Sequence, residues 1–152
     1  MALDVIIIGG GVAGIALAER LLQLDLSVVV VESDASHLEQ WSGEWVAGKG
    51  LVSGESQVTV LDPETGDERR ILHAPVTVFA VGGLNPSDLP GNMLGIAKYG
   101  AELSPDKSTI QCNSRGETRA PGIFAVGGCA SASTPLIVDG IVNALELSRQ
   151  ER

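Results

Sequence analysis

The stretch Asp4-Val5-Ile6-Ile7-Ile8-Gly9-Gly10-Gly11-Val12-Ala13-Gly14 decides the fold. Asp4 to Ile8 is a short apolar run rich in β-branched residues, and glycines follow at once, so it reads as a buried strand. Val12 to Leu24 carries Val12, Ile15, Ala16 and Leu22 at helical spacing, with Glu19 and Arg20 among them, and predicts a helix. Ser27 to Glu32 is a second apolar strand that ends in an acid. Strand, helix, strand in this order is a βαβ unit, for which a right-handed crossover is expected.

The glycines fit G-x-G-x-x-G at Gly9, Gly11 and Gly14, and each has a physical task. Gly9 permits the tight turn out of the strand, Gly11 lets backbone approach a pyrophosphate, and Gly14 lets the helix pack close to the strand. The helix start around Gly11, Val12 and Ala13 offers unpaired N–H groups and the positive end of a dipole to phosphate oxygens. Glu32 stands 18 residues past Gly14, where a carboxylate would accept from ribose hydroxyls. Together these point to an adenine dinucleotide. An acid at Glu32 disfavours a 2′-phosphate, which leaves FAD and NAD; the alternative is a glycine-rich turn without a ligand.

Composition narrows the rest. The 152 residues suit a single domain, residues 1–152, and 44% hydrophobic residues suffice for one core. No apolar run reaches membrane-spanning length, and the N-terminus lacks the basic region of a signal peptide. A formal net charge of −9 disfavours nucleic acid and anionic membrane as partners. Two cysteines, Cys112 and Cys129, form neither a disulfide framework nor C-x-x-C, and are too few for an iron–sulfur cluster; the expected home is the cytoplasm.

Further along, Leu38, Trp41 and Trp45 predict one short amphipathic helix, and Gly43, Gly48, Gly50 and Gly54 then break the pattern. Gln57 to Asp62 and Arg69 to His73 alternate around the turn 63–67, a β-hairpin. Val76 to Val81 is another buried strand, followed by a loop from Gly82 to Pro86. Thr109 to Cys112 and Glu117 to Arg119 flank the turn 113–116 as a second small hairpin. Ile123 to Val126 is a further strand, and Gly127-Gly128 follow it. The last helix is expected to have Thr134 as N-cap and Pro135 at its first position, and to run to about Gln150. The fold class is α/β, a central parallel sheet with flanking helices and a β-hairpin or meander crossover.

A plain NAD domain would continue with more βα units. This chain has instead the hairpin, then Val76-Thr77-Val78-Phe79-Ala80-Val81-Gly82-Gly83, then Thr118-Arg119-Ala120-Pro121-Gly122-Ile123-Phe124-Ala125-Val126-Gly127-Gly128-Cys129-Ala130. On these residues it resembles the Rossmann-like FAD-binding domain of the two-dinucleotide-binding flavoproteins, the thioredoxin-reductase-like pyridine nucleotide-disulfide oxidoreductases. Thr118, Pro121, Gly122, Ile123, Phe124, Ala125 and Gly127 match their second motif. The chain departs from that family in three ways: Gly128 replaces the usual Asp that binds the ribityl chain, no NAD(P)H domain is inserted, and the redox C-x-x-C is missing. Gly127-Gly128-Cys129-Ala130 with Thr134-Pro135, and Leu94-Gly95-Ile96 with Gly100, are most similar to the flavin-carrying subunit of heterodisulfide reductase, in a minimal form without its iron–sulfur cysteines.

The resemblance implies FAD. Its pyrophosphate would lie on Gly9 to Gly14, Glu32 would hold the adenosine ribose, and Gly82, Gly127 and Gly128 would let the cofactor pass close to backbone. The start of the last helix, at Pro135, Leu136 and Val138, would face the pyrimidine side of the flavin ring. Cys129 is the candidate thiol beside the flavin, or a small residue packed after a strand. Cys112 reads as structural, His37 and His73 as surface or satisfied residues, and Asp139 as facing solvent or, less favoured, a flavin edge. Trp41 and Trp45 either cover the core or stack on the cofactor. The implied function is a small flavoprotein module, an electron-transfer subunit working with partner redox proteins in a heterodisulfide-reductase-like complex; a homodimer would also cover the ring. The alternatives are a nucleotide-binding module without turnover and a small NADH-dependent FAD oxidoreductase.

Overall fold

The computed structural model describes residues 2–39, 41–82, 99–106 and 108–150. Five strands form one parallel sheet: β1 (Val5–Ile8), β2 (Val28–Glu32), β3 (Trp45–Ala47), β7 (Val76–Phe79) and β8 (Ile123–Ala125), in the spatial order β3-β2-β1-β7-β8. The central strands are buried on both faces, so they read as continuous apolar runs rather than as an alternation. Ile8 pairs with both Val31 and Phe79, and Phe79 with Ala125, so these strands end level with one another. That common carboxyl edge is where chain reversals bring the glycine loop, Glu32 and the second glycine pair together.

The period-2 geometry of the strands divides the core. Val5, Ile7, Val28, Val30, Val76 and Val78 face one side, where Leu17, Ala18 and Leu21 of α1 (Val12–Leu22) and Ile137, Ile141 and Leu145 of α2 (Ile137–Gln150) cover them. Ile6, Ile8, Val29, Val31 and Phe79 face the other side, against Val52, Val58, Val60 and Leu72. Those four belong to a second sheet, the antiparallel meander β4 (Lys49–Gly54), β5 (Gln57–Leu61) and β6 (Glu68–His73). Each isoleucine or valine fully buried in these layers contributes roughly 1.5–3 kcal/mol. The β5–β6 turn is held by Asp62, whose carboxylate accepts from the Thr65 and Glu64 amides and pairs with Arg69, which keeps its pKa at about 2.

The strands, the helix and the Gln57–His73 hairpin expected from the sequence are present, with α1 ending at Leu22 rather than Leu24. Three expectations are corrected. The helix drawn through Leu38, Trp41 and Trp45 is not formed: a 3-10 turn spans Ala35–Leu38, and Trp45 opens β3, which pairs in parallel with β2. Gly50 and Gly54 lie inside β4, and a Cβ on Gly50 would press on the Ile8 side chain, so that glycine marks a close crossing and not a break. The turn 113–116 exists, but its arms do not pair as a hairpin. Ile110 bridges to Leu103 and Ala130, and Glu117 bridges to Phe124. The loop expected beyond Gly82, and the Leu94-Gly95-Ile96 passage, lie outside the described residues.

Candidate functional site

The glycine loop leaves β1 at the carboxyl edge, tied down by the Gly9 amide donating to Val31 O at 2.8 Å. Gly9 sits at φ +113, and a Cβ there would fall on the Ala80 carbonyl; a Cβ on Gly14 would fall on the Gly9 carbonyl oxygen. Packing within the chain therefore explains these two glycines. It does not explain Gly11. At φ −78 and ψ −166 that residue has an extended backbone open to any side chain, and among the described residues a Cβ there would meet nothing within 4 Å. Gly11 is the N-cap of α1, no side chain caps that helix, and its first turn holds no acid. Val12, at the helix start, is 91% exposed. The first amides of a helix have no partner inside it, so the loop presents bare N–H groups in an open cradle.

Glu32 closes one side of the loop. It is 9% exposed, and its two oxygens are engaged by backbone: Oε1 accepts from the Gly10 amide at 2.7 Å, and Oε2 accepts from the Asp34 amide at 2.9 Å. Burial pushes its carboxyl up, but the amides of Asp34 and Gly10 and the imidazole of His37 outweigh burial, so its pKa lies below the ordinary value. His37 Nδ1 lies 3.5 Å from Glu32 Oε1, and its Nε2 lies 3.5 Å from Asp34 Oδ2. A lone histidine in the sequence, His37 reads as a surface or satisfied residue. The signal available was the spacing Glu32, Asp34, His37, which one 3-10 turn folds onto a single point. Leu38, also in that turn, packs against Gly10, where a Cβ would come within 2.6 Å of its Cδ2.

The second motif arrives from β8. Thr118 donates its hydroxyl to Ile123 O at 2.8 Å, and Gly122, at φ +80, passes so close to Pro75 O that a Cβ would lie 2.6 Å away. Both shape the turn into β8 rather than a ligand surface. After β8, residues Gly127–Cys129 form a 3-10 turn in which Gly127 and Gly128 are exposed. A Cβ on Gly127 would come within 2.8 Å of Ala13 Cβ, so the two motifs meet at the first turn of α1. Gly82, exposed and with no described residue within 4 Å of where a Cβ would stand, follows β7 at the same edge. Cys129 is fully buried, its Sγ donates to Phe79 O at 3.2 Å, and burial pushes the thiol up. A buried, protonated thiol is a packing element and not a nucleophile.

The start of α2 corrects the expected Thr134 cap. The helix begins at Ile137, two residues beyond Pro135: the Ile137 amide closes a tight turn on Thr134 O at 3.2 Å, and Leu136 O accepts the first helical bond, from Gly140, at 3.0 Å. Of the three residues expected to face a cofactor, Pro135 and Leu136 precede the helix and Val138 lies within it. Asp139 is exposed in its first turn, as expected. Trp41 packs on the helix-side core, and no partner for its buried Nε1 is found among the described residues. Trp45 lies at the sheet edge, and His73 is exposed. Among the described residues, no group of three His, Cys, Asp or Glu side chains could hold a metal, and no helix is long and apolar enough to cross a membrane.

Comparison with known proteins agrees with this architecture. Residues 4–51 match the family described as lycopene cyclase protein. No curated protein matches the chain. Among solved structures, HlmI is 14% identical, with a TM-score of 0.61 over 98% of this chain and 92% of its own. An oxidoreductase from Agrobacterium tumefaciens is 15% identical, with a TM-score of 0.60 over 98% of both chains. The GidA-related protein from Thermus thermophilus is 16% identical, with a TM-score of 0.55 over the whole of both. The chain has a Rossmann-like α/β fold, and it shares that fold with these proteins.

Proposed function

We propose that the chain is an FAD-binding flavoprotein module of oxidoreductase type. It serves as an electron-transfer subunit for partner redox proteins, in an assembly of the heterodisulfide-reductase kind. The observation that carries this reading is Gly11: nothing among the described residues asks for a glycine there, and the space it leaves lies over uncapped helix amides. The meeting of Gly127 with Ala13 supports it, because two motifs more than a hundred residues apart converge on that one helix start. The oxidoreductase of like fold and the family match over the glycine loop support it as well.

In this reading the amides of Gly11, Val12 and Ala13 receive the pyrophosphate. Glu32 orients the adenosine ribose, and Gly82, Gly127 and Gly128 leave room for the remainder of the cofactor against backbone. Bound FAD would supply the electron exchange at its ring system. Cys129, sealed under Phe79 O, keeps its proton and takes no part. With no exposed dithiol among the described residues, electrons enter and leave through partners that dock at the carboxyl edge. The exposed apolar side chains Val12, Val81 and Leu136 lie there.

A second reading is favoured by Gly128, which stands where the flavoproteins that the chain resembles carry an Asp for the ribityl chain. That reading is an adenine-nucleotide module without turnover. The visible absorption spectrum of the purified protein, with identification of the nucleotide released on heating, separates the two. Flavin bands with FAD in the supernatant are expected. A colourless protein that takes up no added FAD but binds ADP would establish the second reading instead.

A further inference from the structure

The ribose carboxylate is already crowded. A carboxylate offers about four lone-pair directions. At Glu32 the Gly10 amide and the Asp34 amide fill two of them, at 2.7 and 2.9 Å. The Ser33 hydroxyl approaches Oε2 at 3.4 Å, and His37 Nδ1 approaches Oε1 at 3.5 Å. The backbone donors are fixed by the chain path. A ribose hydroxyl can therefore reach Glu32 only by displacing a side chain, and the two differ in what holds them. Ser33 is neutral, and its contact is long. The imidazole stands between two carboxylates, with Asp34 Oδ2 3.5 Å from its far nitrogen, while Asp34 Oδ1 is kept in place by the Ser36 amide and hydroxyl. The imidazole is also free to leave, since the His37 side chain is 53% exposed.

We propose that His37 is a gate on the ribose site: its imidazole occupies the position on Glu32 that an adenosine ribose would take, and nucleotide binding requires it to swing out. This deepens the dinucleotide reading and rests on it. The imidazole is held there between Glu32, from the end of β2, and Asp34, from the loop that follows, each 3.5 Å from one of its nitrogens.

ADP-ribose is the probe, because it carries the adenosine and the pyrophosphate. Its dissociation constant is measured by calorimetry on the wild-type chain and on His37→Ala, with thermal melts confirming the fold of each. His37→Ala is expected to bind about tenfold more tightly than the wild type, because no imidazole then has to leave Glu32. A His37→Ala chain that binds no more tightly than the wild type would overturn the gate and leave the dinucleotide reading standing. If neither chain binds ADP-ribose, the dinucleotide reading falls, and the gate with it.

Discussion

The two helices start on the same side of the same sheet, and their first turns are built in opposite ways. α1 opens on Gly11 with no side-chain cap, no acid and open space over its amides. α2 looks after itself. The Ile137 amide donates to Thr134 O at 3.2 Å, Gly140 donates to Leu136 O at 3.0 Å, and Asp139 places a carboxylate in the first turn against the helix dipole. Its N-terminal region is also pressed against the turn before β8, where a Cβ on Gly140 would lie 2.7 Å from Arg115 O. A helix start that the chain has satisfied needs nothing from outside. One left bare at the carboxyl edge of a parallel sheet, opposite a buried carboxylate, is where an anion belongs.

The contrast can be broken or sharpened by substitution. The largest effect is expected at Gly14, where a Cβ would fall on the Gly9 carbonyl. Gly14→Ala should cost roughly 3 kcal/mol or more in a urea titration, since backbone has to move. Next is Glu32→Ala, which leaves the Gly10 and Asp34 amides without their acceptor and should cost about 2 kcal/mol. That loss has a pH signature. Because the folded pKa of Glu32 lies below its ordinary value of 4.5, its stabilisation is present above that value and is lost as pH falls through the depressed one. The wild type and Glu32→Ala should therefore differ most near neutral pH and converge in strong acid. A constant difference across that range would contradict the role given to the carboxylate. Asp139→Asn should be milder, at about 0.5 kcal/mol, read as a small drop in melting temperature that shrinks with added salt. Nucleotide affinity should not follow it. A large loss of affinity would move the anion site to α2. Gly11→Ala should have the smallest effect on stability, within about 0.5 kcal/mol of the wild type.

What could be read from the residues alone follows from what each signal depends on. β1, α1 and β2 depend on burial and on a turn that needs glycine at Gly9 and Gly14, and both leave a local mark between Asp4 and Glu32. The segment after Glu32 carries no such mark. Leu38, Trp41 and Trp45 are spaced like a helix face, yet each packs somewhere else: Leu38 on Gly10, Trp41 on the helix-side core, and Trp45 in an edge strand. Their common spacing is incidental, because the pairing of β3 with β2 and of β4 with β5 overrides local propensity. Gly50 looked like a breaker because the reason for it, the Ile8 side chain, lies more than forty residues away. At α2 the Thr-Pro start signal marks a tight turn one step ahead of the helix, closed by the Ile137 amide on Thr134 O. At the site, the glycines and Glu32 were legible because their spacing is local to one βαβ unit. His37 was not, since its weight comes from the carboxylate that it touches.

The most direct measurement is an FAD titration of the wild type and Gly11→Ala side by side, with a thermal melt of each. The account predicts two chains that melt alike, of which the wild type binds FAD and the variant binds it at least about tenfold more weakly, because the added methyl stands where the pyrophosphate must approach the α1 amides. A variant that keeps full affinity for FAD, or a wild type that binds none, would contradict it.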